Sequence, residues 1–169
     1  SDPYSAGLNG NQSHLGPRSE VNAATGYFPG PPPPPPILTV IDRRLQVHDA
    51  DIDPDLNAGA FYFVEGLYVT PDDAAAGNDN NNASYRRVTV AEQNPPSTTF
   101  VVTVADATHP QAPAIQAWQD SDSTVALAYV DVPSDGRLIV GAKATNLQNG
   151  FWQYEYAVQN LNSDRSVGA

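Results

Sequence analysis

Asn149-Gly150-Phe151-Trp152-Gln153-Tyr154-Glu155-Tyr156-Ala157-Val158-Gln159-Asn160 is the stretch whose reading decides the fold. Trp152, Tyr154, Tyr156 and Val158 fall on one side of a period-two pattern, and Gln153, Glu155 and Gln159 on the other. Such alternation marks a strand with one buried face. Since polar residues occupy one side, the simpler expectation puts the aromatic side in the core. The alternative is the exposed aromatic strip of a sugar-binding module. Asn149-Gly150 suits a type I′ hairpin turn, so the run before it, Leu138 to Thr145, should pair antiparallel with this strand.

Working outward, the same period recurs. Ile37-Leu38-Thr39-Val40-Ile41 opens a strand that continues through Arg43, Leu45 and Val47. Phe61 to Val69, Tyr85 to Ala91 and Thr98 to Ala105 follow, and Val125, Leu127 and Tyr129 mark a fifth strand. Turn formers separate them, among them Pro95-Pro96-Ser97 and Pro133-Ser134-Asp135-Gly136. One short helix is expected, with Thr70 as cap, Pro71 in the first position, Asp72 and Asp73 in the first turn and Gly77 as the stop. Seven strands without a long helix predict an all-β fold: an antiparallel two-sheet sandwich, Ig-like or jelly-roll-like, with a closed barrel as the alternative.

Residues 1–36 read differently from residues 37–169. Nine of the 16 prolines lie there, including the unbroken run Pro31, Pro32, Pro33, Pro34, Pro35 and Pro36. Proline fixes φ and donates no backbone hydrogen bond, so this run should form a left-handed rod of roughly 19 Å. Leu8, Leu15 and Val21 keep neither a helical nor a strand period. The expectation is an extended arm (1–36) joined to a β-sandwich domain (37–169).

The 169 residues carry 8 basic and 19 acidic side chains, a net charge of −11. That balance opposes nucleic acid and anionic membranes as partners, and no apolar run is long enough to span a bilayer. Cysteine is absent, which removes disulfides, thiolate metal sites and cysteine nucleophiles. Sparse charge with abundant Pro and Asn points to an extracellular β protein.

Sites for chemistry are few. Asp49, Asp51, Asp53 and Asp55 alternate after His48 and could surround calcium, but the EF-hand positions for Gly and Glu hold Pro54 and Ala60. The blander reading is an acidic loop. Gly77 to Asn82 reads as a polar connection. Asn11 and Asn82 each begin an Asn-x-Ser glycan acceptor pattern. His14, His48 and His109 lack companions at zinc spacing. Glu65 and Glu155 could in principle form a glycosidase pair, though a structural role is simpler. With no nucleophile or nucleotide motif, no catalytic residue and no cofactor is expected, calcium aside.

Leu15 to Asn22, Arg43 to Val47, Tyr62 to Gly66, Asn82 to Val88 and Tyr154 to Arg165 together resemble a segment of large, uncharacterised secreted bacterial proteins. The resemblance spans most of the chain and carries no activity. It implies an extracellular address and a longer parent chain. The ending at Ala169, soon after a strand and turn, is what a chain cut from a longer precursor, or one whose final strand lies elsewhere, would show.

The function expected from these readings is an extracellular structural subunit that assembles with copies of itself into a filament or surface layer. Its N-terminal arm, with the rod Pro31 to Pro36, or its first strand would dock on a neighbouring copy, with Ile37, Thr39 and Ile41 as the segment that pairs with the neighbour's sheet edge. The alternative is a carbohydrate-binding, adhesive module of a larger secreted protein.

Overall fold

The computed structural model describes residues 20–28, 47–94, 100–165 and 167. The proline run, the expected strand from Ile37 to its last residues before Val47, and Asn11 lie outside the described residues.

The described chain is mostly β. Strands β1 (Tyr62–Leu67), β2 (Ala83–Glu92) and β3 (Phe100–Val104) form one three-stranded antiparallel sheet in that order. Strands β4 (Ala126–Asp131), β5 (Arg137–Asn146) and β6 (Trp152–Asn160) form a second. Three short helices sit between strands or before them: α1 (Asp49–Ile52), α2 (Pro71–Ala75) and α3 (Gln116–Ser121). All six strands coincide with expected runs, to within one or two residues at most ends.

The helix expected after Thr70 forms as its residues dictate. The Thr70 hydroxyl accepts from the Asp73 N–H at 3.3 Å, and Gly77 leaves the helix with φ of +78°. The β5–β6 pairing is antiparallel, from Asn146 opposite Trp152 to Leu138 opposite Asn160. The connection is longer than a two-residue turn, however. Leu147 N–H bonds the Phe151 carbonyl at 3.0 Å, and both Gln148 and Gly150 take positive φ. The Asn149 side chain accepts from the Phe151 N–H at 3.2 Å instead of leaving the turn to its backbone.

The sheets meet at a small apolar cluster. Ala83 of β2 and Ile139 of β5 are buried together with Leu161, and Leu67 and Ile115 pack against them. Helix α3 covers the inner face of the second sheet: a Cβ on Gly141 would lie 3.0 Å from the Trp118 ring and 3.3 Å from Leu127. Glycine is required there by close approach.

Two polar anchors complete the body. Asn162 is buried, accepts from the Arg137 N–H at 2.7 Å, and donates to the Asp79 carbonyl at 3.0 Å and the Asn80 side chain at 3.2 Å. The polar stretch Gly77 to Asn82 is therefore pinned to the second sheet. Within the expected arm, residues 20–28 close a turn on the Asn22 side chain, which accepts from the Thr25 N–H and hydroxyl, both at 2.9 Å. Gly26, at φ of +69°, lies against the Thr70–Pro71 backbone so closely that a Cβ would be 2.2 Å from the Thr70 carbonyl carbon.

Removing the Asn162 amide strands the half-buried Arg137 N–H and Asp79 carbonyl, groups worth about 1–3 kcal/mol each when left unpaired in the interior. Asn162→Ala is expected to lower unfolding free energy by about 3 kcal/mol, read as a shifted urea midpoint at unchanged slope.

Candidate functional site

The aromatic side of β6 faces solvent. Trp152, Tyr154, Tyr156 and Val158 are 55%, 60%, 70% and 51% exposed. This overturns the expectation that they form the core. The reason lies on the other side of the strand. Gln159 turns inward, where its side-chain amide donates to Glu65 of β1 at 2.7 Å and its oxygen accepts from the Ile115 N–H at 2.9 Å. The same Glu65 carboxylate accepts from the Ala114 N–H at 2.6 Å. Lys143, on the same face of β5, pairs with Asp122 at 2.7 Å. Hydrogen bonds to Lys143 and Thr124 hold the Asp122 carboxyl well below its usual range. The inner face thus takes Gln159 and Lys143, and Trp118 of α3 lies against Gly141 there.

Register places further apolar side chains on the outer face. Ala144, Ala142 and Val140 stand opposite Tyr154, Tyr156 and Val158, with Leu138 beyond. Ala126, Ala128 and Val130 of β4 continue the row. Same-face neighbours along a strand lie about 6.8 Å apart, so the three rings form a flat strip bordered by aliphatic side chains. Among the described residues, β6 has a paired neighbour on one side only.

A second feature lies on the inner face of the first sheet. A cleft of about 190 Å³ opens between β1, β2 and α3, with Phe61, Phe63, Tyr85, Arg87, Asp106 and His109 among its walls. Tyr85 is only 2% exposed. Its hydroxyl donates to Asp120 and lies 3.1 Å from His109 Nδ1. The phenol has one proton, given to Asp120, so the His109 contact requires an N–H at Nδ1 and leaves Nε2 as the acceptor of the neutral ring. The Tyr85 and His109 rings stack at 4.4 Å and 11°, and Phe63 meets Tyr85 edge-on at 5.8 Å. His109 is held by a two-bond bridge between its backbone and that of Tyr85. Burial, then the hydrogen bond to Asp120 and its charge, pushes the Tyr85 phenol up to about 12. The bond from Tyr85 holds Asp120 below the ordinary carboxyl value.

The acidic run does not gather as a whole. Residues 49–52 form the single helical turn α1, capped by His48 Nδ1 accepting from the Ala50 N–H at 3.2 Å. A helical turn points Asp49 and Asp51 in different directions. Asp53 and Asp55 instead converge with Glu92, their carboxylate oxygens within 4.8 Å of one another. Three carboxylates offer at most six oxygens, the lower end of the six to eight that calcium takes. Asn82 sits half-buried at the entry to β2, its backbone carbonyl accepting from the Tyr68 N–H at 3.2 Å. Glu65 serves the joint between the sheets, and Glu155 lies opposite Lys143.

No protein-family model matches the chain, and neither does any curated protein or solved structure.

Because the folded Tyr85 value lies above the ordinary 10, its bonds contribute fully below pH 10 and are lost as pH rises toward 12. Spectrophotometric titration should show one of the eight tyrosines ionising late. Tyr85→Phe is expected to remove that late phase and the accompanying stability loss in that window.

Proposed function

We propose that this chain is a non-enzymatic, extracellular structural subunit that associates with copies of itself through the outer face and free edge of the second sheet. The observation that carries the reading is the inversion of β6: its aromatic row is turned outward while Gln159 faces in. Contiguous apolar surface of this kind is rare on a monomer and marks a contact surface. A long edge strand invites further strand pairing. A neighbour's Ile37-Thr39-Ile41 segment, carried by the proline rod, is the proposed donor, and the two-sheet body acts as a sandwich-like unit. Sparse charge with abundant Pro and Asn supports the extracellular address.

Magnitudes favour an assembly over a tight pair. Each exposed ring has on the order of 100 Å² left to bury. Three rings give roughly 300 Å², or about 7 kcal/mol per copy. Association costs about 4–15 kcal/mol, so a single contact is weak and repetition must supply the rest.

The second reading, a carbohydrate-binding module, draws on the same flat strip of rings. It is the weaker of the two because the rings are bordered by Ala142, Ala144, Val140 and Leu138, which offer sugar hydroxyls no hydrogen bonds.

Sedimentation velocity over a rising concentration series is expected to show growth beyond the monomer. Added salt should strengthen it by screening the −11 charge. Tyr154→Asp with Tyr156→Asp should return the monomer with an unchanged circular dichroism spectrum. A wild-type chain that stays monomeric throughout would overturn the reading, and glycan-array binding lost in Trp152→Ala would favour the sugar alternative.

A further inference from the structure

The cleft beside Tyr85 holds several polar groups with unused hydrogen-bonding capacity. Arg87 lies over the Phe61 ring at 4.3 Å, and its one ionic contact is Asp106 at a loose 3.8 Å. No hydrogen bond within the described residues uses its N–H groups. Asp106 is 62% exposed and otherwise unbonded through its side chain. His109 also lines the cleft, and with its proton on Nδ1 the ring offers Nε2 as an acceptor. The Ser121 hydroxyl, also on the wall, can both donate and accept. Donors and acceptors therefore converge beside Phe61, a ring that is 57% exposed.

The balance of charge selects among ligands. A phosphate or carboxylate would be attracted by Arg87 but repelled by Asp106 and Asp120. An ammonium would meet the reverse. A neutral ligand with neighbouring hydroxyls meets no such conflict, because each hydroxyl both donates and accepts. Arg87 can donate to one hydroxyl while Asp106 or His109 Nε2 accepts from the next. Charged partners make the stronger hydrogen bonds to such neutral groups. Phe63 and the part of Phe61 that Arg87 leaves uncovered supply an apolar surface for the C–H face of a ring. At about 190 Å³ the cleft falls below the range for drug-sized ligands, about 300–1,000 Å³, and suits a single ring.

We infer that this cleft binds one neutral polyhydroxylated ring, a single pyranose, through Arg87, Asp106, His109 and the Phe61 face. The rigid Tyr85–His109–Asp120 arrangement fixes the wall before the ligand arrives, so little ordering remains to oppose binding. The site is on the first sheet and does not depend on the self-association of the second.

The test uses the full chain with the methyl glycosides of glucose, galactose and mannose as probes, read by saturation-transfer NMR and by calorimetry. Inorganic phosphate and methylamine serve as charged controls. At least one glycoside is expected to bind and to be weakened about tenfold or more by Phe61→Ala and by Asp106→Asn, both exposed positions at which the fold should persist by circular dichroism. Tyr154→Asp, on the other sheet, should leave glycoside binding unchanged. Failure of all three glycosides to bind, tighter binding of phosphate or methylamine, or equal binding by wild type and both cleft variants would each overturn the assignment.

Discussion

The carboxylate of Glu65 is the point on which the arrangement of the two sheets turns. It projects from β1 and accepts from the Ala114 N–H at 2.6 Å and the Gln159 side chain at 2.7 Å. Gln159 in turn accepts from the Ile115 N–H. Residues 94 apart in sequence are joined by one side-chain bond. Each sheet is a meander of consecutive strands and needs nothing from the other to complete its ladder. Their relation is set by this junction, by Asn162 gripping the 79–80 loop and by a small apolar cluster. Hydrogen bonds are directional where apolar burial is not, so the polar junction fixes the angle and the cluster supplies the drive.

The outward turn of the β6 rings follows from the same junction. Strand side chains alternate strictly, so a strand that sends Gln159 inward must send Val158, Tyr156, Tyr154 and Trp152 outward. Helix α3 occupies the inner space with Trp118 over Gly141, leaving no room for large rings on that side. Stabilising the joint and exposing the strip are one choice of register.

Most of the strand pattern was legible in the sequence, because period two depends only on neighbouring residues. Six of the expected runs form strands, and the Thr70-Pro71-Asp72-Asp73 signal gives its helix. Which side of β6 faces inward was not legible, since alternation defines two faces without saying which is buried. That depends on a glutamate 94 residues away. The α1 turn was hidden by the alternating aspartates, which mimic an extended acidic loop until His48 caps the Ala50 N–H. Helix α3 has no side-chain cap to announce it. His109 looked solitary because its companions, Tyr85 and Asp120, are 24 residues before it and 11 after it. The length of the β5–β6 loop was missed because the Asn149 side chain bonds the Phe151 N–H, an option the Asn-Gly pair alone does not reveal.

Gly26 seats residues 20–28 on the first-sheet side of the body, at Thr70–Pro71, whereas the ring strip belongs to the second sheet. Were the proposed assembly to pull on a subunit at those two places, tension would run from one sheet to the other through the Glu65 junction. The strand ladders carry many parallel bonds, and the junction carries few. Under load the two halves would part there first, each meander still intact, so that the subunit lengthens by hinging before it unravels.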